Sequence, residues 1–252
     1  MAVTTDFRDY HPRPDLLAGR IILVTGAGDG IGKAAALAFA AQGATLILAG
    51  RTVAKLERVY DQIEERGYPQ ATIYPVDLHG ATEEDYQTLC ATIAEQFGRL
   101  DGLLHNAGEL GERTPLANYK LNSWEKVLKV NVTAQFMLTK ALIPVLAKSP
   151  DASIVFTSSS VGRKGRAFWG AYAVSKFATE GMCQVLADEL EGTTNIRVNC
   201  INPGAVRTRM RATAYPAEDP RALKTAEQIM ATYLYLMGPD SKDVNGQSLN
   251  AQ

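Results

Sequence analysis

Apolar residues along this chain alternate between a strand-like and a helix-like spacing, and this alternation constrains the fold more than any other feature. Strand-like runs cover residues 20–25, 45–50, 71–75, 100–105, 153–157 and 196–201, and helix-like segments cover 31–42, 53–66, 123–147 and 172–190. Because the strand-like runs are almost continuously apolar, we expect a parallel sheet covered on both faces. Right-handed crossovers then make that sheet doubly wound.

The pattern therefore predicts an α/β fold in which a mostly parallel sheet carries helices on both faces. We expect one domain over residues 20–252, preceded by an N-terminal extension at residues 1–19. Helix ends are marked by glycine, which readily adopts the left-handed conformation in which a chain leaves a helix. The glycines in question are Gly43, Gly67, Gly98 and Gly192.

The composition excludes several classes of protein. Charged residues make up 21% of the chain and the formal net charge is −1, so no excess of positive charge attracts nucleic acid or a membrane surface. The three cysteines and three histidines are scattered without ligand spacing, which argues against a disulfide framework and a metal site. Residues 1–19 carry charges and two prolines instead of an apolar leader, and we predict a cytoplasmic protein.

A glycine-rich turn separates the first predicted strand from the first predicted helix. The segment from Thr25 to Gly32 reads TGAGDGIG. Gly26 allows a tight turn, Gly30 lets the backbone approach a pyrophosphate, and Gly32 lets helix and strand pack closely. The following helix N-terminus presents free N–H donors to an anion. The turn therefore predicts a dinucleotide phosphate site.

A second motif lies at the start of the helix-like segment 172–190. Tyr172 and Lys176 are four residues apart and so share a helix face. Ser159 precedes them, just past the fifth strand-like run, and Asn131 lies in segment 123–147. These residues, together with the Thr-Gly-x-x-x-Gly-x-Gly spacing of the turn, resemble the short-chain dehydrogenases/reductases. The resemblance extends over residues 20–249.

The resemblance implies a Rossmann-type domain that transfers a hydride between a nicotinamide dinucleotide and a carbonyl or alcohol. It implies a catalytic set of Asn131, Ser159, Tyr172 and Lys176. The implied cofactor-binding residues are Gly26, Gly28, Asp29, Gly30, Ile31, Gly32, Arg51, Asp77, Leu78, Asn106, Ala107, Gly108, Tyr172, Lys176, Pro203, Gly204, Val206 and Thr208. His105 departs from the family pattern, which has asparagine at this position.

Each member of the catalytic set has an expected role. Tyr172 would act as general acid and base, and because a free tyrosine has a pKa of about 10, we expect the Lys176 ammonium to lower it. Ser159 would donate a hydrogen bond to the substrate oxygen. Asn131 would hold a water that connects Lys176 to solvent.

The choice between NADP and NAD depends on the end of the second strand. An acidic residue there would accept from the ribose 2′-OH, whereas arginine would meet a 2′-phosphate. Gly50 and Arg51 occupy this place, which favours NADP(H) over NAD(H). Asp29 is the contrary signal, because a carboxylate near the phosphate would repel it. NAD(H) therefore stays open as an alternative.

Two other functions are compatible with the fold. One is a catalytically silent cofactor-sensing or scaffold protein, which we would expect to have lost Tyr172 or Lys176. The other is a sugar-nucleotide epimerase or dehydratase, against which the length of 252 residues argues.

Partners are predicted from the resemblance and from charge. Relatives pack helices corresponding to 123–147 and 172–190 against symmetry mates, which implies a homotetramer or homodimer. The substrate is predicted to be a small carbonyl or alcohol. Two basic segments either border its pocket, which favours an anionic substrate, or are solvated, contact the cofactor's phosphates or lie at a subunit contact. Their residues are Arg163, Lys164, Arg166, Arg207, Arg209, Arg211, Arg221 and Lys224, opposed by Glu218 and Asp219.

Overall fold

The computed structural model describes residues 7–252 and places seven parallel strands in one sheet. The strands are β1 (Ile21–Thr25), β2 (Thr45–Gly50), β3 (Thr72–Pro75), β4 (Gly102–His105), β5 (Ala152–Thr157), β6 (Ile196–Asn202) and β7 (Ser248–Asn250). Their order is β3-β2-β1-β4-β5-β6-β7, which confirms the predicted doubly wound α/β fold. The winding reverses between β1 and β4, where such sheets open a ligand crevice at the strand carboxyl ends.

Helices cover both faces of this sheet. They are α1 (Gly30–Ala41), α2 (Val53–Glu65), α3 (Glu83–Phe97), α4 (Leu121–Leu128), α5 (Ala134–Leu146), α6 (Gly170–Leu190), α7 (Arg209–Ala214) and α8 (Met230–Met237). The four glycines expected at helix ends all have positive φ. The sequence pattern does not predict α7, α8 and β7, because elements of six, eight and three residues show too little periodicity. None of the described helices is long and apolar enough to cross a membrane.

The prediction of one continuous helix over residues 123–147 is wrong at one point. A π-helical turn at Lys129–Thr133 separates α4 from α5. Such a turn widens the helix locally and often occurs at functional sites. It contains Asn131, so the departure from regular geometry falls on a residue of the predicted catalytic set.

The apolar core forms two layers, one on each side of the sheet. Side chains from α1, α2 and α8 belong to the first layer, and side chains from α3, α5 and α6 belong to the second. The described part of the N-terminal extension joins the first layer, where Leu17 is fully buried. The Phe7 ring stacks on Tyr235 with centroids 4.0 Å apart, and the Tyr10 hydroxyl donates to Asp240 at 2.7 Å. Residues 1–6 of the predicted extension lie outside the described residues.

A buried hydroxyl joins the ends of the two central strands. Thr25, the last residue of β1, donates to the Leu104 carbonyl at 3.2 Å. Its oxygen accepts from the backbone N–H groups of Asn106 at 3.0 Å and Ala107 at 3.1 Å. Thr25 thereby fixes the glycine turn against the loop that follows β4.

We expect Thr25→Val to lower the free energy of unfolding by about 1–3 kcal/mol, because it leaves two backbone donors without their acceptor. Urea denaturation monitored by circular dichroism measures this change. Thr45→Val, in neighbouring β2, is the matched control, because the Thr45 side chain makes no hydrogen bond within residues 7–252. Equal stability of the two variants would contradict the assigned role of Thr25.

Candidate active site

A cavity of about 590 Å³ runs along the carboxyl ends of the strands, from the glycine turn to the start of α6. It brings together nearly all of the residues that the sequence singled out. Every residue of the predicted cofactor set lines it except Gly32, and every residue of the predicted catalytic set lines it except Asn131. The crevice therefore coincides with the predicted site.

The glycine turn has the geometry of a phosphate cradle. A Cβ atom on Gly32 would lie 2.2 Å from the Gly26 carbonyl oxygen, so only glycine lets α1 pack this closely on the turn. Gly30 begins α1 with a φ of +51°, and its N–H is capped by the Asp29 carboxylate at 2.8 Å. The first turn of α1 thus faces the cavity with backbone donors, which suits an anionic group.

Tyr172 and Lys176 lie at the other end of the cavity, in the first turns of α6. Both are almost fully buried. The Lys176 Nζ donates to the Thr157 carbonyl at 2.6 Å and lies 5.6 Å from the centroid of the Tyr172 ring. Ser159 follows β5, lines the same cavity, and interacts with the Tyr172 hydroxyl. Three of the four predicted catalytic residues therefore meet at one point.

Burial controls the charge states of this group. It raises the pKa of Tyr172 to about 12, against an opposing hydrogen-bond effect from Ser159. The expected lowering of the Tyr172 pKa is therefore not found in this structure, because the loss of hydration outweighs the hydrogen bond from Ser159. Burial also lowers the pKa of Lys176 to about 8.

Asn131 lies in the predicted segment but does not line the cavity. Its Oδ1 accepts from the Glu109 N–H at 2.7 Å, and its Nδ2 donates to the Glu109 carbonyl at 2.9 Å and to Ser175 Oγ at 3.0 Å. Both amide hydrogens are thus used within the protein. The side chain ties the loop after β4 to α6, and it does not have a donor left for the predicted water.

His105, the departure from the family pattern, is a structural residue. It is 1% exposed, its Nε2 lies 2.8 Å from Thr139 Oγ1, and its ring stacks on Phe156 with centroids 4.7 Å apart. Burial, together with the positive charge of Lys176, lowers its pKa to about 3. His105 is therefore neutral beside the buried ammonium.

The segment from Pro203 to Thr208 closes the cavity on the side of β6. Gly204 has a φ of +73°, and a Cβ there would lie 2.7 Å from the Gln252 side chain. Gln252 Nε2 donates to the carbonyls of Pro203 at 2.7 Å and Ala205 at 3.0 Å. Thr208 caps α7 by accepting from the Arg211 N–H at 3.2 Å. The last residue of the chain thus supports this segment, a contact that no local pattern reveals.

Trp169 and Tyr215 form an aromatic wall next to Tyr172. The arginine that holds this wall is one that the sequence does not single out. The Arg113 guanidinium lies 4.1 Å from the Trp169 ring centroid and 5.2 Å from that of Tyr215. It donates to the carbonyls of Phe168 at 3.2 Å and Ala214 at 2.9 Å. One side chain therefore connects the α6 entrance to the end of α7.

The predicted positive border of the substrate pocket is formed only in part. Of its eight basic residues only Arg209 and Arg211 line the cavity. Arg211 pairs with Glu218 at 2.7 Å, and Arg221 pairs with Asp219 at 3.1 Å. The Arg163 guanidinium donates to side chains on β7, at 2.6–3.1 Å, instead of facing the cavity. Two of the eight basic residues of the predicted border therefore line the cavity, and one of these two, Arg211, is paired with an acid.

Comparison with known proteins gives the same assignment as the geometry. The family model described as short chain dehydrogenase matches residues 20–219. The oxidoreductase YciK of Escherichia coli K12 is 55% identical over 243 residues, which are 96% of each chain. A short chain dehydrogenase structure from Pseudomonas syringae has 60% identity and a TM-score of 0.96, covering 97% of this chain and 99% of its own. One from Escherichia coli CFT073, complexed with NADPH, has 57% identity and a TM-score of 0.91, covering 96% and 100%. The chain belongs to the short chain dehydrogenase family, whose members are NAD(P)-dependent oxidoreductases.

Proposed function

We propose that this protein is an NADP(H)-dependent oxidoreductase that moves a hydride between nicotinamide and a carbonyl or alcohol, with Tyr172 as the general acid and base. One observation carries the proposal: Tyr172, Ser159 and Lys176 meet at one end of a cavity whose other end is the glycine turn. The cavity thereby connects a phosphate cradle to a buried proton donor.

The residues that line the cavity fit a dinucleotide. The close packing at Gly32 and the donors of α1 suit a pyrophosphate, and Arg51 lines the same end, where it suits a 2′-phosphate. The proposed cofactor contacts are those of the predicted set, with Gly32 acting through packing. NADP use is supported by the NADPH complex of the 57%-identical relative. NAD(H) is the alternative, and the relative affinity of the protein for the two cofactors decides between them.

The chain's own residues supply the proton and the orientation. A bound nicotinamide supplies the hydride to the carbonyl carbon. Tyr172 gives the phenol proton to the carbonyl oxygen, so that the products are the alcohol and a phenolate. Ser159 donates a hydrogen bond to the same oxygen, and Lys176 stabilises the phenolate by its charge. The raised pKa of Tyr172 keeps the phenol protonated, which is the form that reduction requires.

Catalysis is favoured over a sensing or scaffold role because the proton donor is present and correctly enclosed. A silent protein needs the glycine turn alone and gains nothing from a buried lysine. Burying Lys176, with its pKa lowered to about 8, costs folding free energy that a reaction explains. Asn131 acts in this proposal as a positioning residue for the loop after β4 and for α6.

We expect Tyr172→Phe to lower kcat roughly 10²-fold to 10⁴-fold, the usual contribution of a general acid, because it removes the donated proton and keeps the ring. NADPH consumption with a panel of ketones measures the rate, and the change in NADPH fluorescence on binding measures the cofactor affinity, which should not change. The matched control is Tyr215→Phe, which removes a hydroxyl from the aromatic wall. A rate like that of the unmodified protein in Tyr172→Phe would refute the proposal.

The aromatic wall makes Arg113 a candidate positioning residue for substrate. We expect Arg113→Met to lower kcat/KM for ketone reduction about tenfold, or about 1.4 kcal/mol, mainly through KM, because it removes two hydrogen bonds and two cation–π contacts that hold the aromatic wall. Trp124 and Trp169 are the two tryptophans, so in a Trp124→Phe background the emission of Trp169 should also shift to longer wavelength.

The control for Arg113→Met is Arg166→Met, which removes an exposed arginine that does not line the cavity. It should leave both KM and emission unchanged. Unchanged emission and KM in Arg113→Met would show that the aromatic wall does not depend on this guanidinium.

The exposed face of α6 supports a homo-oligomer, a tetramer or a dimer. Val174, Phe177 and Val185 are 43%, 47% and 55% exposed, and they lie on one helical stripe with Gly181. A Cβ on Gly181 would meet no atom within 4 Å, so nothing within the subunit requires glycine there. Glycine in a helix interior costs about 0.5–1 kcal/mol relative to alanine, and close approach of a second chain explains it.

Light scattering should give a mass of two or four times 27.3 kDa. Gly181→Arg should lower that mass, because the new side chain has open space in the subunit and none in a close helix contact. Glu65→Arg, on the opposite face of the sheet, is the control and should keep the assembly. A single-chain mass for the unmodified protein would refute the homo-oligomer.

A further inference from the structure

Lys55 forms an ion pair across the edge of the cavity that no motif predicts. It is the third residue of α2, and its Nζ donates to the Asp29 carboxylate in the glycine turn. Lys55, Asp29 and Arg51 line the same end of the cavity. The side chains of Lys55 and Asp29 are 33% and 56% exposed, so a ligand in the cavity can reach the ammonium.

The position of Lys55 is fixed by packing as well as by charge. A Cβ on Gly28 would lie 2.8 Å from the Lys55 Cβ, so the turn passes directly over the base of this side chain. Glycine at position 28 is therefore required by α2, a neighbour that is distant in sequence. The contact keeps the Lys55 Cβ next to the glycine turn, and the side chain extends from there to Asp29.

Asp29 is held at both of its oxygens. Its Oδ1 accepts from the Gly30 N–H at 2.8 Å and its Oδ2 accepts from Lys55. The carboxylate therefore has a fixed place at the N-terminus of α1, and it fixes the ammonium beside it. Lysine carries three N–H donors, and the pair uses one of them.

Charge at this end of the cavity favours a dianion. Asp29 alone would repel a phosphate, but its charge is neutralised by Lys55. Arg51 adds a positive charge on one side, and Arg209, whose charge lowers the pKa of Asp29 together with Lys55, adds another. The group carries three cations and one anion, and a phosphate ester with about two negative charges complements it.

We propose that Lys55 is a second cation of the 2′-phosphate site, aimed by Asp29 and Gly28, and that it binds the adenosine 2′-phosphate of NADP(H) together with Arg51. The inference rests on the proposed use of NADP(H). It also gives Asp29 a role that is compatible with this cofactor, because the carboxylate orients the Lys55 ammonium that binds the phosphate.

The test measures binding of two adenosine fragments by isothermal titration calorimetry, 2′,5′-ADP and 5′-AMP, which differ by the 2′-phosphate. Lys55→Met should weaken binding of 2′,5′-ADP roughly 10-fold to 100-fold, the usual effect of losing a charge-assisted hydrogen bond. It should change binding of 5′-AMP less than twofold. Arg51→Ala should show the same selectivity, and Arg58→Met, an exposed arginine on α2 that does not line the cavity, should show no loss.

A double variant tests the pairing itself. In Lys55→Met the Asp29 carboxylate is uncompensated, so adding Asp29→Asn should recover part of the affinity for 2′,5′-ADP. A double variant that binds no better than Lys55→Met would overturn the pairing. Equal losses for both fragments in Lys55→Met, or no loss, would overturn the 2′-phosphate assignment.

Different results would refute the use of NADP(H) and the role of Lys55. If the unmodified protein does not prefer 2′,5′-ADP to 5′-AMP, the use of NADP(H) itself is refuted. If the unmodified protein shows that preference and Lys55→Met keeps it, only the role of Lys55 is refuted.

Discussion

The contact between the glycine turn and the loop after β4 is the constraint on which the rest of the site depends. Gly26 lets the turn approach Ala107, where a Cβ would already lie 3.1 Å from the Ala107 Cα. Thr25 adds hydrogen bonds to the same loop, and that loop in turn holds Asn131 through Glu109. The phosphate end and the proton-transfer end of the cavity are thereby parts of one connected backbone. A change in the turn moves both ends.

Burial rather than pairing determines the charges at the proton-transfer end. Tyr172 is kept protonated, and His105 is kept neutral with a pKa of about 3. This explains why histidine is tolerated beside Lys176: in the charged form it would add a second buried cation, and burying a charge costs much hydration free energy. This end of the cavity thus holds the Lys176 ammonium beside a neutral histidine, and the ammonium charge acts on an oxygen that binds next to Tyr172.

The sequence predicts the parts of the fold and site that depend on local pattern. The strands from β1 to β6 follow from apolar runs, and the glycine turn follows from a spacing with a defined mechanical reason. The π turn around Asn131 does not follow, because the apolar spacing continues through it. The sequence also does not predict the contacts of Lys55 and Arg113. Each of these residues joins segments that are distant along the chain, and its contacts depend on where its long side chain points.

The charge around the cavity also depends on where the charged residues lie, which their number does not show. Counting basic residues in the loops around the substrate predicts a positive pocket, yet Arg211 is neutralised by Glu218, and Arg163 is directed toward β7. Net positive charge is instead concentrated where Arg51, Lys55 and Arg209 lie near Asp29 at the glycine turn. Field strength depends on distance and on compensation, so a count of cations does not give the field inside the cavity. A phosphorylated ligand at the glycine turn would be held by this charge, and we propose that the substrate is recognised through the shape and packing of the aromatic wall.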